Sequence, residues 1–485
     1  MRLLATVQPV EGPVDFVDVV SNARDAGDDT MLFERGAAGA VSVAGIGCAL
    51  DIVATEGGAA AEDPSGRVVD REEGTDRLLA AARLWTRIAG NAQGGPVLAI
   101  GGCAFRVDRD PGPPWQGFPA VLLRVPRLAL RRQGDTTVAI RAGLDGSSAV
   151  DQSALAVPTA GPADGTSSPA VPFRAPAARR LVTEVPRPPH QWLSAVGAVV
   201  DELSRGCAVK AVLARELLVH ADGPVDARSV LHALRGRHPS CFIYLIPGAD
   251  GSALVGASPE LLIERRGATA ISQPMAGSAP RGRNAREDER IAGTLLSSAK
   301  ERDEHAVVVN QMLERFRRAG ARAVHASEVG LARLATIQHL ATTIEAEFSP
   351  PAPTLLELCA SLHPTAAVGG EPWAEAAGLI DEYERMDRGW YAGAVGWTDS
   401  AGDGELAVTL RCGLLWEDGV RLYAGGGLMR DSDPARELAE TDLKFLALLD
   451  ALRESPPRRR TTRLDDPPDS PSARSARRRS PSRAR

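Results

Sequence analysis

Apolar residues along the chain fall into short runs that predict strands. Before residue 150, the runs at 97–102 and 120–125 have turn residues on either side, which is typical of β-strands. The part from 1 to 150 is therefore predicted to be β-rich. Similar strands are predicted later in the chain at 208–214, 241–246, 406–411 and 420–424.

Helical spacing becomes clear after residue 188. In the segment 190–206 the apolar residues lie on one helical face, and Gly206 can end the helix. That face consists of Trp192, Val196, Val199, Val200 and Leu203. Further helical segments are predicted at 285–319 and 372–383. Strands and helices come in mixed order with hairpin-like pairs, so the pattern predicts an α+β fold rather than a doubly wound sheet.

Composition changes at two places and suggests domain boundaries. Residues 151–187 are rich in Ala, Pro, Ser and Gly, which predicts a flexible linker or long surface loop. Residues 454–485 are rich in Arg, Ser and Pro, which predicts a disordered tail, with weak contact to anionic partners as the alternative. The remaining parts are a variable N-terminal part at 1–150 and the main domain at 188–453.

The charge excludes one class of partner. The net charge is −6, and residues 455–485 carry ten Arg and three Asp, so the rest of the chain is near −13. A protein with so acidic a surface is not expected to bind nucleic acid, because phosphate binding needs clustered Lys and Arg. No apolar run is long enough for a membrane span, and the N-terminus lacks a signal-peptide pattern. The six cysteines show no metal-binding spacing, which fits free thiols in the cytoplasm.

Two acidic motifs each have a structural and a chemical interpretation. Glu304 lies in a predicted helix before His305 and an apolar run, where it also suits a solvated helical turn. Glu437 and Glu440 share a helical face with Lys444, which also suits an exposed Glu–Lys pair. The chemical interpretation is a hard-cation site, in which carboxylates from both segments hold Mg²⁺ together with waters and an anionic substrate.

Glu260 and Lys210 are candidates for acid–base chemistry. Glu260 follows a predicted strand and precedes two leucines, and an apolar environment would raise its pKa as a general acid requires. A solvated glutamate at a strand end is the alternative. Lys210 lies in an apolar strand, where desolvation would favour the neutral amine of a general base. A lysine that reaches solvent from an edge strand is the alternative.

Two glycine-containing segments complete the candidate chemistry. Gly277 and Ser278 follow one predicted strand, and Gly427 ends a run of three glycines after another. Such segments expose backbone N–H groups that can bind an anion. Neither matches a nucleotide-binding motif, so no nucleotide is predicted.

Ten motifs between about residues 190 and 452, taken in order, resemble one family. This family is the chorismate-utilising enzymes, which include isochorismate, anthranilate, aminodeoxychorismate and salicylate synthases. The motifs are KAVLAR at 210–215, GASPELL at 256–262, QPMAGSAPRG at 273–282, KERDEH at 300–305, ATIQHLAT at 335–342, LHPTAAVGGEP at 362–372, DRGWYAGAVGW at 387–397, AVTLRC at 407–412, YAGGGL at 423–428 and DSDPARELAETDLK at 431–444. The resemblance implies a large α/β/β/α sandwich with antiparallel sheets flanked by helices.

The resemblance also implies a role for each matching residue. Lys210 is expected to activate water, and Glu260 to protonate the departing 4-hydroxyl group. Glu304 and Glu440 are expected to bind Mg²⁺ directly, and Glu437 through water. The residues expected to contact the substrate are Tyr391 and Arg411 at the enolpyruvyl carboxylate, Gly427 and Lys444 near the ring carboxylate, and His339, Gly277, Ser278 and Ala367 around the ring.

The implied reaction is the reversible, Mg²⁺-dependent conversion of chorismate to isochorismate, for menaquinone or catechol siderophore biosynthesis. Within the family, Lys210 and Ala367 favour the isochorismate synthases over the enzymes that use ammonia. The ammonia users resemble this segment but carry Thr or Ser at the position of Ala367. Salicylate synthase, which also eliminates pyruvate, is the alternative activity, and a catalytically silent paralogue would be expected to lack one of these groups. Gln338 and Ala366 replace a frequent Trp and Pro and are interpreted as packing changes. A monomer without a glutaminase subunit is expected.

Overall fold

The computed structural model describes residues 2–37, 39–145 and 180–455. The predicted tail except for Glu454 and Ser455, and the predicted linker except for residues 180–187, lie outside the described residues. The strands are β1 (Leu3–Pro9), β2 (Thr30–Arg35), β3 (Val41–Ile46), β4 (Leu50–Thr55), β5 (Gly58–Glu62), β6 (Val68–Glu73), β7 (Leu98–Cys103), β8 (Val121–Val125), β9 (Leu128–Gln133), β10 (Thr136–Leu144), β11 (Leu181–Glu184), β12 (Lys210–Ala221), β13 (Phe242–Pro247), β14 (Ala253–Ser258), β15 (Leu261–Arg266), β16 (Thr269–Gln273), β17 (Met275–Pro280), β18 (Ala323–Ala326), β19 (Gly330–Arg333), β20 (Ile337–Ala341), β21 (Ile344–Glu347), β22 (Gly370–Glu371), β23 (Ala394–Asp399), β24 (Gly404–Val408), β25 (Cys412–Trp416) and β26 (Gly419–Leu428).

Most of the helices between these strands follow a residue whose side chain caps them, whereas two follow a proline that does not. They are α1 (Phe16–Asp25), α2 (Arg77–Gly90), α3 (Pro189–Ser204), α4 (Ala227–Arg237), α5 (Ala285–Ser297), α6 (Ala299–Arg318), α7 (Leu355–Leu362), α8 (Trp373–Tyr383) and α9 (Pro434–Glu454). Asp433 accepts from the backbone N–H of Arg436 and so caps α9, and Ser298 caps α6 in the same way. No helix in the described ranges is long and apolar enough to cross a membrane.

Antiparallel strands form two large sheets and one small one. The first sheet has the order β1-β10-β9-β3-β2-β13-β14-β25-β26-β12-β11, with β22 also paired to β12. The second sheet has the order β18-β21-β16-β15-β24-β23-β7-β8-β4-β5-β6. The small third sheet has the order β17-β20-β19. Strands from before and after residue 180 lie side by side in both large sheets, for example β2 beside β13 and β7 beside β23.

Two apolar layers hold these sheets in place. The larger layer joins the first sheet, through residues such as Phe33, to the second sheet, through residues such as Trp397, and continues under α2 and α7. The other layer packs the opposite face of the first sheet against α1, α4 and α9, with Leu448 as one contact. The architecture is therefore an α/β/β/α sandwich of mixed α+β class, as predicted.

Three predicted elements differ from the structure. The predicted helical segment 285–319 is two helices, because Ser298 takes an extended conformation between α5 and α6. The predicted strand 406–411 ends at Val408, because the chain leaves the second sheet there and joins the first at Cys412. The end of the predicted 151–187 loop is partly ordered, since β11 pairs with β12.

Candidate active site

Two of the links by which the chain crosses between the two large sheets lie beside each other. One short link joins β14 to β15 and carries Glu260, and another joins β24 to β25 and carries Arg411. The backbone N–H of Val408 donates to the carbonyl of Glu260 over 3.0 Å, and the N–H of Ala257 donates to the carbonyl of Arg411 over 3.1 Å. These backbone hydrogen bonds hold a carboxylic acid and a guanidinium group beside each other.

Arg411 has an unusual backbone conformation at its crossing. Its φ of 49° lies in the left-handed region, which residues other than glycine seldom adopt and which is frequent at functional sites. Burial lowers the pKa of Arg411 from its usual value. A guanidinium group that is poorly hydrated gains from an anionic partner, so this position suits the binding of a carboxylate.

One cavity brings the predicted site residues together from distant parts of the chain. Its wall includes every residue predicted to act in catalysis or to contact the substrate, and two of the three predicted metal ligands. They are Lys210, Glu260, Gly277, Ser278, Glu304, His339, Ala367, Tyr391, Arg411, Gly427, Glu440 and Lys444. Glu437 lies behind this wall, beside Gly426. The sequence did not identify the apolar part of the wall, which includes Val212 and Leu410.

Lys210 and Glu304 form an ion pair inside this cavity. The Nζ atom of Lys210 lies 2.8 Å from Oε1 of Glu304, and the two side chains are 1% and 13% exposed. Lys210 begins β12 and is paired on one side with Glu371 of β22, so it does not reach solvent from an open edge. Glu304 comes from α6. The pair therefore joins the first sheet to the helix that carries the KERDEH motif.

Glu260 lies in the same cavity in an environment that favours its protonated form. Burial raises the pKa of this carboxyl group to about 7, although a backbone N–H from Met275 and the charges of Lys210 and Arg411 act in the opposite direction. A carboxyl group with this pKa is partly protonated near neutral pH. It can therefore donate a proton to a leaving group, which an ordinary glutamate cannot do efficiently.

Comparison with known proteins identifies the family to which this fold and site belong. A family model described as chorismate binding enzyme matches residues 1–453. The chain belongs to the chorismate-binding enzymes. A Mycobacterium tuberculosis protein provisionally named isochorismate synthase MenF is 42% identical over 283 residues, which cover 56% of this chain and 76% of the relative. Isochorismate synthase DhbC of Bacillus subtilis is 38% identical over 270 residues, which cover 54% of this chain and 68% of the relative.

A solved structure supports the fold of this chorismate-binding enzyme over nearly its full length. The menaquinone-specific isochorismate synthase MenF of Escherichia coli superposes with a TM-score of 0.70 at 21% sequence identity. The match covers 93% of this chain and 94% of the other. At this identity the likeness shows the fold alone.

A chain of hydrogen bonds crosses the cavity of this chorismate-binding enzyme from Arg411 to Lys444. The guanidinium of Arg411 lies 3.1 Å from Nε2 of His339, and Nδ1 of His339 lies 3.0 Å from Oγ of Ser278. Burial lowers the pKa of His339 to about 3, so the ring is neutral. Because Arg411 can only donate, Nδ1 carries the proton and donates to Ser278. Ser278 can then donate to Glu440, which also pairs with Lys444 at 2.6 Å.

Four glutamates gather at the end of this hydrogen-bond chain, and the sequence identified three of them. The fourth is Glu301, which precedes Glu304 by one turn of α6 and accepts from the backbone N–H of Ser278 at 3.1 Å. The spacing of three residues within KERDEH could have found it, because such residues share a helical face. Burial and then the charge of Glu304 raise the pKa of Glu301. Burial and then the charges of Glu440 and Glu304 raise the pKa of Glu437 to about 7.

These carboxylates fit a hard divalent cation. Four oxygen donors whose mutual repulsion disfavours full ionisation would be stabilised by a positive charge between them. They do not bring three ligand atoms within 4.8 Å of one another; among the described residues only the two carboxylates and the imidazole of Asp15, Asp18 and His232 do so. Mg²⁺ does not require such a set, since it uses one or two carboxylates together with waters and substrate oxygens. The residues present therefore fit the predicted Mg²⁺, with Glu304 and Glu440 facing the cavity.

Gly427 allows the ion pair to approach the first sheet. A Cβ atom at this position would lie 2.2 Å from Oε1 of Glu304 and 3.2 Å from Nζ of Lys210. Gly277 is required for a different reason, since its φ of 74° lies in the left-handed region. Both glycines therefore shape the cavity wall rather than supply a reacting group.

A larger cavity of about 660 Å³ lies elsewhere, between α1, α4 and β25. None of the predicted site residues lines it. Asp15, Asp18 and His232 lie on the surface, and their contacts explain them without a cation. Arg235 donates to Nδ1 of His232 and pairs with Asp15, which leaves Nε2 of His232 to donate to Asp18.

Proposed function

We propose that this protein is an isochorismate synthase, which adds water at C2 of chorismate and releases the hydroxyl group from C4. The observation that carries the proposal is the presence of Lys210 and Glu260 in one cavity, with the pKa of Glu260 raised to about 7. The reaction needs one group that removes a proton from water and another that protonates the departing hydroxyl. A buried amine and a partly protonated buried carboxyl group can supply these two functions.

The cationic side chains of the cavity suit a substrate with two carboxylates. Arg411, Tyr391 and Lys444 all line the cavity, and Lys444 also donates to the carbonyl of Gly425 over 2.7 Å. The neutral ring of His339 keeps Arg411 in place without adding a charge. We infer that the enolpyruvyl carboxylate binds at Arg411 and Tyr391, and that the ring carboxylate binds near Lys444 and Gly427. In this proposed orientation the substrate ring lies between Lys210 and Glu260.

Lys210 takes part in the reaction as the base for water. In the structure its ammonium group is paired with Glu304. It acts as the base only after this pair opens and the ammonium releases a proton to solvent, because only the neutral amine can take a proton from water. Glu260 acts from its own position at the sheet crossing and delivers its proton to the C4 oxygen. Isochorismate and chorismate have the same kinds of bonds, so the reaction is expected to reach an equilibrium mixture from either side.

Mg²⁺ is the proposed cofactor, held by Glu304 and Glu440 with Glu437 in the outer shell through water. When bound, it would stabilise negative charge on the ring carboxylate. Glu301 belongs to the same group of carboxylates and holds the backbone of Ser278, so it orients the wall beside Glu440. The pairing of Glu440 with Lys444 lowers the pKa of this carboxyl group to about 2 although burial opposes ionisation, which keeps one ligand negatively charged.

Water is preferred to ammonia as the nucleophile in this proposal. Ala367 presents a methyl group to the cavity, where a hydroxyl side chain would offer a hydrogen bond to ammonia. The two relatives described above carry the name isochorismate synthase. Pyruvate elimination, as in a salicylate synthase, is therefore not part of the proposal. We propose a cytoplasmic monomer without a glutaminase subunit, and a product used for menaquinone or catechol siderophores.

Product analysis tests the proposal. The purified protein is incubated with chorismate in the presence of Mg²⁺ and after treatment with a chelator. The products are separated by chromatography and identified by retention time and ultraviolet spectrum, because chorismate and isochorismate have the same mass. Isochorismate is expected only with Mg²⁺, and the same mixture is expected when the reaction starts from isochorismate. Unchanged chorismate would contradict the proposal, and salicylate with pyruvate would replace it with the second activity.

A further inference from the structure

The loop at 362–371, which presents Ala367 to the cavity, is held by half-buried and buried side chains at several points. Arg315 of α6 donates to the carbonyls of Leu362 and Pro364, over 2.5 and 2.8 Å. The Nε2 atom of His363 lies 3.0 Å from the carbonyl of Ala104. A loop bound in this way has few alternative conformations, so the position of Ala367 is determined by residues outside the loop.

Gln311 joins the two ends of the loop segment 366–371, which lies nearest the cavity. Its Oε1 atom accepts from the backbone N–H of Ala366 over 2.7 Å. Its Nε2 group donates to the carbonyl of Gly370 over 3.4 Å and to the carboxylate of Glu371. The side chain is only 7% exposed, and a buried amide with both ends bonded is costly to replace. Gln311 thus bridges the five residues that include Ala367.

The same bridge reaches the strand that carries Lys210. Glu371 and Gly370 form β22, which pairs with Lys210 and Ala211 at the start of β12. The backbone N–H of Val209 also donates to the carbonyl of Glu371 over 2.8 Å. Through β22, Gln311 therefore fixes the backbone of Lys210 relative to Ala367. Two helical turns earlier on α6, Glu304 holds the other end of the same lysine, at its ammonium group.

A second buried group fixes the same two segments from the opposite side. Arg388 donates to the carbonyl of Val368 over 2.7 Å and to the carbonyl of Val212 over 2.6 Å. Val368 follows Ala367, and Val212 lies two residues after Lys210. Glu384 pairs with Arg388 at 2.6 Å and accepts from the backbone N–H of Ala214 over 2.7 Å. Two independent side chains therefore hold the strand of the base against the loop that faces it.

We propose that Gln311 is a positioning residue for the hydration reaction. By bridging Ala366 to Gly370 and Glu371, it sets the distance between Lys210 and Ala367 in the cavity wall. This distance in turn sets the position of the attacking water. The inference rests on the proposed function. Gln311 does not line the cavity and does not bind the substrate carboxylates, which lie at Arg411, Tyr391 and Lys444. Loss of the bridge should therefore lower kcat while the KM for chorismate stays nearly constant.

The bridge can be tested by exchanging its donor and acceptor. Gln311→Glu removes the donor and places a second carboxylate beside Glu371, so kcat should fall by about 10- to 100-fold, the loss typical of a displaced reacting group. In the double variant Gln311→Glu/Glu371→Gln, the amide at position 371 donates to the carboxylate at position 311, so a charge-assisted hydrogen bond forms again. The kcat should therefore recover to within about fivefold of wild type. Asn310→Asp changes an exposed amide on the same helix and serves as the control, with wild-type kcat expected.

Two measurements separate positioning from general damage. Hydrogen exchange of the peptide covering 362–371 should be faster in Gln311→Glu than in wild type and slow again in the double variant, whether or not the protein is active. When ammonium is added with chorismate, Gln311→Glu should form a larger share of the amino product than wild type, because the water position is less well defined.

The outcomes distinguish this inference from the proposed function. If wild type makes no isochorismate, the function fails, while the exchange measurement still reports the bridge. If wild type is active and Gln311→Glu retains its kcat, or if the double variant is no better than the single one, the positioning role is wrong. A rise in KM with unchanged kcat would also overturn it, because that result would place Gln311 in substrate binding.

Discussion

The Nζ atom of Lys210 lies 2.8 Å from Oε1 of Glu304, and Gly427 lies against both groups. One member of this pair is the proposed base and the other a proposed ligand of Mg²⁺. The two functions therefore meet in a single ion pair at the start of β12. Any change at either residue is expected to affect proton transfer as well as the cation site, which makes control variants necessary.

Removal of the amine tests the base. Lys210→Ala should lower kcat by about 10²- to 10⁴-fold, because the group proposed to take the proton from water is lost. Chorismate binding, followed by tryptophan fluorescence or calorimetry, should weaken little. Lys444→Met is the comparison, since loss of this carboxylate-binding group should raise KM more than it lowers kcat. Wild-type turnover in Lys210→Ala would exclude the proposed base.

The pH dependence of the reaction tests the acid. Burial raises the pKa of Glu260 to about 7, so the proton that it must deliver is present below this pH and is lost above it. At saturating Mg²⁺, kcat/KM should therefore decline above a pH of about 7. The Glu260→Gln variant should lack this decline and show only residual activity. A rate that stays constant through this range in the wild-type protein would argue against the assignment.

Gly427 provides a test of space in the cavity. In Gly427→Ala the new methyl carbon would lie only 2.2 Å from Oε1 of Glu304, so the carboxylate must move and Lys210 loses its partner. We expect a large loss of kcat and a higher requirement for Mg²⁺ with little change in the circular dichroism spectrum. Gly293→Ala is the matched control, since this exposed glycine of α5 has open space around it and should become more stable by about 0.5–1 kcal/mol.

The buried pair Glu384–Arg388 should contribute far more to stability than a surface pair of the same spacing. Glu384→Gln leaves an uncompensated guanidinium inside the protein, and the free energy of unfolding should fall by about 3–5 kcal/mol. Glu314 and Arg318 form an exposed pair of the same spacing on α6. Glu314→Gln should change the free energy of unfolding by less than about 1 kcal/mol in the same denaturant titration. Equal effects of the two substitutions would show that the buried pair has no special role.

The sequence predicted the class of the fold and the polar side chains of the cavity wall, but some features depend on three-dimensional packing. The helix at 190–206 was readable because its apolar residues share one face. The break at Ser298 could not be predicted from the sequence, because α5 and α6 have similar composition and only their packing separates them. The end of β24 was missed because an apolar run continues past Val408 while the chain changes sheets. Glu301 was overlooked because a glutamate in the first turn of a helix needs no further explanation.

The role of Gln311 could not have been read from the sequence either. A glutamine near the middle of a helix is ordinary, and its partners Ala366 and Glu371 are more than fifty residues away. By contrast, Lys210 was recognisable because a charged residue in an apolar strand conflicts with its surroundings. Residues that disagree with their local pattern are detectable, whereas residues that act through distant backbone groups are not.

The two neighbouring crossings between the large sheets make the proposed acid and the proposed anion-binding arginine depend on how those sheets are aligned. Within the described ranges, no residue before Lys210 lines the cavity. The strands up to β10 nevertheless complete both sheets, with β2 directly beside β13 and β7 directly beside β23. A fragment that starts at the composition boundary near residue 188 would keep every reacting group and lose the framework that aligns them. The smallest unit expected to work as a catalyst is therefore the whole sandwich.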